Sequence, residues 1–365
     1  MRTIGAASMK RLWLTAASIA LLATACSDAG PTSRPGTSPV ATPPSSAPSS
    51  DATAVVPTAG TTAGAIERGG LLFSWYGDAG SGANGKVANV VSRDGSNLRR
   101  IMSDVVGDIR ALSWRPDGDL MTFVVRDSAH PDGAIWSAAA DGTGVALLYD
   151  GVADGCTSVF YPVWSPDGST LSIVCFVDRD TTHTADLAVL EVATRRQTKL
   201  VTYRWPDALD NPARWSHDGS RIAYDVLHWD PTNTFLEGSR IATIDVAGSA
   251  KPNDLNKLDS FAASPAWSPD DSFLLYNTYD FGNMTEATVS DLYSMRADGS
   301  DVQPFATAAQ AGVARIGHAE WDPTGTRIWV AVRLGSDTYH IGWLDPTTKA
   351  LTILPTIGAG AEPRP

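Results

Sequence analysis

Short apolar segments separated by polar turn residues fill the chain from about residue 66 to residue 356. The segments are rich in Val, Ile, Leu, Tyr and Trp and are bounded by Gly, Pro, Asp and Ser, which is typical of β-strands. This region shows no sustained helical period, so we expect almost no helix. One group of four such segments comprises Ala111–Trp114, Leu120–Val125, Ala134–Ala139 and Val145–Tyr149.

A five-residue phrase recurs within this pattern at almost constant intervals. Its copies are WRPDG at 114–118, WSPDG at 164–168, WSHDG at 215–219, WSPDD at 267–271 and WDPTG at 321–325. Successive tryptophans are 50, 51, 52 and 54 residues apart, a period typical of β-propellers. The Pro presets φ for a tight turn, the Asp can bond backbone amides, and the Gly accepts the positive φ that ends the turn. We interpret each Trp as a core residue between neighbouring sheets.

The count of repeat units predicts an all-β fold, a six-bladed β-propeller of four-stranded antiparallel blades. Five units carry the Trp phrase, and the first unit, from about Gly69 to Met102, lacks a first strand. Each blade must pack on its neighbours, because a single sheet of four strands cannot bury both of its faces. Either Thr53–Val56 or the tail after Leu354 could supply the missing strand, and the sequence leaves both open.

The N-terminus has the features of an export signal. Positive residues precede a short apolar core from Leu12 to Leu22, which is too short to span a bilayer as a helix. The segment Ala23-Thr24-Ala25-Cys26 resembles the bacterial lipobox, in which the Cys becomes the lipidated first residue. We therefore expect lipidation of Cys26, with simple secretion as the alternative, and a lipid-anchored location on the outer face of the bacterial cytoplasmic membrane.

These features divide the chain into four segments. Residues 1–25 form the lipoprotein signal peptide, and residues 26–65 form a disordered tether that begins at the lipidated Cys and is rich in Pro, Ser and Thr. Residues 66–356 form the propeller, and residues 357–365 form a C-terminal tail.

Charge and cysteine content narrow the possible partners and the redox state. The formal net charge of −12 disfavours nucleic acid and anionic lipid headgroups as partners. Cys156 and Cys175 lie in one repeat unit of an exported domain, where disulfides persist. The predicted strand pairing brings the two residues near the same end of a hairpin, so we expect a disulfide, with two buried thiols as the alternative.

The two faces of the predicted propeller differ. The Pro-Asp-Gly turns and the Asp-Gly turns lie on one face, which we call the short-turn face. The longer loops between second and third strands, and the segments between units, lie on the opposite, long-loop face. Loops on a rigid scaffold carry most binding groups, and aromatic residues and Arg are the usual anchors. The candidate partner-binding residues of the long-loop face are Tyr76, Arg126, His183, Tyr203, Trp205, His228, Trp229, Tyr279, Phe281 and His318.

Sequence signals for catalysis are weak. The chain contains no Gly-x-Ser-x-Gly elbow, no His-Glu-x-x-His motif and no phosphate-binding Gly loop. His183, His228 and His318 could approach the channel together and hold a metal, but no helical spacing supports this. We expect no catalytic residue, no metal and no cofactor.

The repeated Trp-Ser-Pro-Asp-Gly, an apolar strand and then Asp-Gly-Ser before the last strand resemble the TolB-type propeller repeat. The same repeat occurs in the propellers of prolyl oligopeptidases and dipeptidyl peptidases. The resemblance covers about residues 66–356 and implies protein binding in the cell envelope, as TolB binds a peptidoglycan-associated lipoprotein. This chain differs from TolB in having a Pro/Ser tether in place of an N-terminal α/β domain and in carrying its own lipid-attachment Cys. Few residues follow the last predicted strand, so we expect no hydrolase domain in this chain.

The leading functional hypothesis is a non-catalytic, membrane-anchored propeller that binds an envelope protein or a cell-wall component through its long-loop face. We expect it to be a monomer that is attached to the membrane through Cys26 and does not bind nucleic acid. Two alternatives are a sensor that binds a glycan or solute with the aromatic loops, and a metal-assisted enzyme similar to oligogalacturonate lyase.

Overall fold

The structure, a computed structural model, is an all-β propeller of six blades arranged in a ring. It describes residues 68, 70–76, 86–179, 182–209, 211–232, 235–247, 251–257, 261–280, 289–335, 339–357 and 362–363. The predicted signal peptide, Cys26 and the tether lie outside these residues. Within them, no helix is long and apolar enough to cross a membrane. The helices of the described part are α1 (Ala308–Ala311) and one 3-10 turn (Val152–Asp154).

Each blade is an antiparallel sheet whose first strand is innermost. The strands of blade 1, from the inside outwards, are β25 (Glu362–Pro363), β1 (Leu71–Tyr76), β2 (Lys86–Val91) and β3 (Arg99–Arg100). Blade 2 contains β4 (Asp108–Trp114), β5 (Leu120–Arg126), β6 (Ala134–Ala139) and β7 (Ala146–Tyr149). Blade 3 contains β8 (Ser158–Trp164), β9 (Thr170–Arg179), β10 (Thr182–Glu191) and β11 (Arg196–Arg204).

The second half of the ring repeats this arrangement with one irregular blade. Blade 4 contains β12 (Asp207–Ala208) and β13 (Arg214–Trp215), which both pair with β14 (Arg221–Trp229), followed by β15 (Leu236–Asp245) and β16 (Asn253–Asp254). Blade 5 contains β17 (Ala262–Trp267), β18 (Phe273–Asp280), β19 (Val289–Arg296) and β20 (Gln303–Ala306). Blade 6 contains β21 (Arg315–Trp321), β22 (Ile328–Arg333), β23 (Tyr339–Leu344) and β24 (Leu351–Ile357).

The C-terminal segment closes the ring. Leu71 and Leu72 of β1 pair with Pro363 and Glu362 of β25, so the tail supplies the first strand that blade 1 lacks. Residues 362 and 363, which follow the predicted boundary at residue 356, therefore belong to the sheet of blade 1. Closure by a distant segment covers the inner edge of β1 and completes the four strands of blade 1.

Apolar clusters fill all six interfaces between neighbouring blades. Phe123 of blade 2, for example, packs with Leu72 and Val90 of blade 1, and Trp329 of blade 6 packs with Phe73 of blade 1. The remaining four interfaces have clusters of the same kind. Burial of these side chains provides most of the stabilisation of the ring, at about 25 cal/mol per Å² of apolar surface.

The repeated tryptophans take the positions expected of core residues. Trp114, Trp164 and Trp267 are buried, whereas Trp215 and Trp321 are half-buried. Trp215 Nε1 donates to the carbonyl oxygen of Val163 at 3.0 Å, and Trp267 Nε1 donates to that of Arg214 at 3.1 Å. Each of these bonds reaches the inner strand of the preceding blade, so the Trp joins blades by packing and by hydrogen bonding.

A left-handed residue sits three positions before the Trp in four inner strands. Ala111, Tyr161, Ser264 and His318 all have φ between 49° and 56°, and the strand register shifts at each of them. Blade 4 has Pro212 at this position, and the proline ring fixes φ near −65°. Because Pro212 cannot form the same bulge, the inner strand of blade 4 is split into β12 and β13.

Candidate functional site

The antiparallel strand order confirms that the two faces of the ring carry different connections. Turns between first and second strands, and between third and fourth strands, lie on the short-turn face. Loops between second and third strands, and the segments between blades, lie on the long-loop face. The predicted site residues can therefore be examined face by face.

The aspartates of the short-turn face hold the turns together. Asp167 accepts hydrogen bonds from Ser165 Oγ at 2.6 Å and from the Ser169 amide at 3.0 Å. Hydroxyl and amide donors lower the pKa of Asp167, and the same type of bonding lowers the pKa of Asp218 to about 2. These carboxylates are satisfied within their own turns, which assigns them a structural role.

Two departures from the repeated phrase contact each other across the short-turn face. His217 replaces the Pro in blade 4, and Asp271 replaces the Gly in blade 5. Asp271 Oδ1 accepts from the His217 amide at 2.8 Å and lies 3.1 Å from His217 Nδ1, while its Oδ2 accepts from the Asp218 amide at 2.9 Å. Only a residue other than Pro can donate this amide, so His217 and Asp271 form a matched bridge between blades.

An open groove of about 690 Å³ lies beside this bridge, between blades 3 and 4. Its lining includes Glu191, Arg196, Trp215 and His217. The groove is on the short-turn face, so it contains none of the predicted partner-binding residues.

A cationic cluster lies at the long-loop end of blades 1 to 3. Arg126 at the end of β5 lies opposite Asp108 at the start of β4 in the strand register. Arg110 Nε donates to the Asp108 carboxylate. The Lys86 amide donates to Asp108 Oδ1 at 2.7 Å, which brings blade 1 against blade 2. The Arg126 guanidinium carbon lies 5.2 Å from the ring centre of Phe160 in blade 3. We call Lys86, Asp108, Arg110, Arg126 and Phe160 the Arg126 cluster.

The electrostatics of this cluster are unfavourable to its own cations. Burial lowers the pKa of Lys86 to about 8, with a further contribution from Arg110. Burial also lowers the pKa of Arg126, and Arg110 again adds to the shift. A negatively charged group bound beside these three partly buried cations would stabilise their charged forms.

A second polar cluster links blades 4 and 5. Asp225 is buried, and its carboxylate accepts from Asn211 Nδ2 at 2.8 Å and from the amide of Ser264 at 3.2 Å. Burial raises the pKa of Asp225 to about 6. Burial also raises the pKa of Tyr279, and the nearby Asp225 carboxylate raises it further.

Asn277 repeats the role of Asp225 one blade further along the chain. Both residues lie three positions after the strand partner of the repeated Trp. Asn277 Oδ1 accepts from the amide of His318 at 2.9 Å, as Asp225 accepts from that of Ser264. Each side chain thus holds the left-handed residue of the next blade, which offsets a backbone cost of about 1–2 kcal/mol.

The three candidate histidines have separate surroundings. His183 Nδ1 lies 2.5 Å from Asp178 Oδ1, and His228 Nδ1 lies 2.6 Å from Asp207 Oδ1. His318 is the bulge residue that Asn277 holds. The part of the chain that the structure describes contains no group of three or more His, Cys, Asp or Glu placed to bind a metal. In the structure these histidines therefore do not form a common ligand set.

Two predicted aromatic anchors belong to the core. Tyr203 is buried, and its hydroxyl lies 3.0 Å from that of Tyr224. Trp229 is buried in a small cluster with Ala208 and Leu227, and the half-buried Trp205 packs against this cluster. The side chains of Tyr203 and Trp229 are thus packed in the structure and present little surface to a partner. Trp205 lies at a cis peptide bond with Pro206 between blades 3 and 4.

The remaining candidates divide between described and undescribed positions. Arg126, His183, His228, Tyr279 and His318 all lie on second strands, third strands or inner strands that border the long-loop face. Tyr76 ends β1, but its side chain is outside the described part, as is the whole of Phe281.

The two cysteines of blade 3 form a disulfide in the structure. Their Cα atoms are 5.4 Å apart, and the bond joins the segment before β8 to β9. The bond fixes the loop between blades 2 and 3 to the second strand of blade 3.

Sequence reasoning did not single out Lys86, Asp108, Arg110 or Asp225. Two features could have indicated them, namely Lys86 at the start of an apolar strand and Asp225 inside the apolar segment Ile222–Val226. Charged residues at buried strand positions require a partner, but the partners lie in other blades and have no signature in the local sequence.

Comparison with known proteins supports the fold and goes no further. No family model matches the chain, and no curated relative matches it. TolB from Acinetobacter baumannii superposes with a TM-score of 0.60 at 15% identity, over 81% of this chain and 67% of that chain. An oligogalacturonate lyase in complex with manganese gives 0.50 at 15% identity, over 79% and 74%. A chain of a nidogen–laminin complex gives 0.54 at 8% identity, over 81% and 99%.

These similar structures include an enzyme and proteins that are not described as enzymes. At such low identity they establish a shared six-bladed propeller architecture, because one fold supports many unrelated functions. The function of this chain has to be argued from its own surface.

Proposed function

We propose that this protein is a non-catalytic, membrane-anchored propeller that binds an envelope protein through its long-loop face. The observation that carries this proposal is the distribution of exposed apolar residues. Val106, Val152 and Leu334 are 87%, 69% and 51% exposed. They lie on the long-loop face, between β3 and β4, between β7 and β8, and between β22 and β23. Exposed apolar residues next to Arg and aromatic side chains are characteristic of protein interfaces.

The short-turn face offers a useful contrast. Its repeated Asp carboxylates are occupied by hydroxyl and amide donors of their own turns. Among the described residues, the large apolar residue exposed in a turn of this face is Val302, at 52%, between β19 and β20, and Leu147, at 37%, lies on the outer strand β7. This face therefore provides a matched control for any test of the long-loop face.

Photocrosslinking in intact cells tests the proposal. A photoreactive amino acid would replace Val106 or Leu334 on the long-loop face, or Val302 on the short-turn face. We expect one defined protein to be captured from the first two positions and not from the third. The proposal would be abandoned if all three positions captured the same proteins, or if the long-loop positions captured nothing.

The anchored location is a separate part of the proposal and rests on the lipobox-like segment ending at Cys26. Cys26→Ser removes the thiol that would carry the lipid. We expect this change to move the protein from the membrane fraction to the soluble exported fraction. An unchanged membrane association of the Ser variant would rule out anchoring through this residue.

A further inference from the structure

The Arg126 cluster is a concentration of positive charge in an acidic protein. Lys86, Arg110 and Arg126 come from two blades, and the carboxylates that act on Arg126 are those of Asp108 and the exposed Asp132. The whole chain has a formal net charge of −12. At physiological salt the Debye length is about 8 Å, so a ligand at this position responds mainly to these nearby groups.

The accessible parts of this cluster are two arginine side chains. Lys86 is 1% exposed and lies beneath the surface, whereas Arg110 and Arg126 are half-buried. Arg126 Nε is buried and has no hydrogen-bond partner among the described residues. The Phe160 ring supports the Arg126 guanidinium from one side, which leaves its planar fork preorganised for an oxyanion.

Apolar residues flank these cations. The backbone at Gly107 packs closely against the Arg126 carbonyl group, since a Cβ placed on Gly107 would lie 2.5 Å from that oxygen. Val106, the preceding residue, is therefore next to the Arg126 backbone. Val152 lies in the loop that leads into β8, the strand that contains Phe160. An acidic segment that also carries apolar side chains would match this combination, whereas a purely polar polyanion would leave Val106 and Val152 uncovered.

We propose that Arg110 and Arg126, with the buried Lys86 nearby, bind carboxylates of an acidic, partly apolar segment of a protein partner. This inference rests on the proposed function and names the chemistry of its partner. The Asp108 carboxylate holds Arg110 in place and bonds the Lys86 amide, so it positions the cations without neutralising all three.

Fluorescence anisotropy with a labelled synthetic peptide of Glu and Leu tests the site in the full chain, purified in detergent. The same peptide with Gln in place of Glu is the control ligand. We expect Arg126→Gln and Arg110→Gln to weaken binding of the Glu peptide about tenfold. Arg196→Gln should have no effect, because Arg196 is an exposed arginine in the short-turn groove. Arg126→Lys, which keeps the charge but not the fork, should give an intermediate affinity, and urea unfolding would show that each variant is folded.

Three results would overturn the carboxylate site. They are an unchanged affinity in folded Arg126→Gln, equal binding of the Glu and Gln peptides, and Arg126-dependent binding of polygalacturonate or phosphatidylglycerol vesicles that exceeds binding of the peptide. The photocrosslinking experiment separates this failure from failure of the proposed function. Capture from Val106 that persists in the Arg126→Gln variant would refute the carboxylate site alone, whereas absence of capture from the wild type would refute the proposed function, whatever the peptide measurements show.

Discussion

Restoring the repeated phrase at both of its altered positions tests the bridge between blades 4 and 5. His217→Pro removes the amide and the imidazole that bond Asp271. Asp271→Gly removes the acceptor but also replaces a non-glycine residue at a φ of 55°. The double variant has the same Pro and Gly at these turn positions as the WSPDG copy at 164–168. Both residues suit the backbone conformation of this turn.

The expected magnitudes follow from these contacts. His217→Pro alone should destabilise the protein by about 1–3 kcal/mol, because the largely buried Asp271 carboxylate loses both of its contacts with His217. Asp271→Gly alone should be nearly neutral, since relief of about 1 kcal/mol of backbone cost offsets the lost bonds. The double variant should be close to the wild type, so the coupling energy between the two changes should be about 1–3 kcal/mol in magnitude.

Urea unfolding of the four proteins at one pH measures this coupling. The midpoints and m values together give the free energies of unfolding, and unchanged m values would show that the same transition is compared. Additivity of the two single changes within about 0.5 kcal/mol would refute the bridge. Ser96→Ala, in a turn of blade 1, is a control that should not couple to either change.

Three further predictions concern other parts of the ring. Burial raises the pKa of Asp225 to about 6, so between about pH 4 and pH 6 the folded state binds a proton that the unfolded state has released. The free energy of unfolding should therefore fall by about 3 kcal/mol as the pH rises from about 4 to above 6. Asp225→Asn, with the residue found at position 277, should remove this fall in urea titrations at both pH values, and an identical pH profile in the variant would contradict it. Replacement of Cys156 and Cys175 by Ala should lower the free energy of unfolding by about 2–4 kcal/mol relative to the oxidised wild type, and the reduced wild type should match the double variant. Deletion of residues 358–365 removes β25 and should reduce unfolding cooperativity and hydrogen-exchange protection of β1; full protection of Leu71 and Leu72 would show that another segment closes the ring.

The sequence determined the blade count, the turn positions and the two faces. These properties depend on local chemistry that repeats along the chain, namely alternating apolar segments, the Pro-Asp-Gly turn and the Trp that precedes it. The closure by residues 362–363 was left open between two segments, because a two-residue strand has no periodic signal of its own. The interrupted inner strand of blade 4 was readable in principle from Pro212, once the left-handed position of the other blades is known.

Tertiary structure alone decided which side chains reach the surface and which meet one another. Tyr203 and Trp229 are residue types that are common among binding anchors. Packing between blades 3 and 4 buries Tyr203, and a small local cluster buries Trp229. The contacts of Lys86 with Asp108, of Asp225 with Ser264 and of His217 with Asp271 all join different blades. Such pairs are brought together by the packing of neighbouring blades, and no local pattern of the sequence records which residues will face each other across the blade interface.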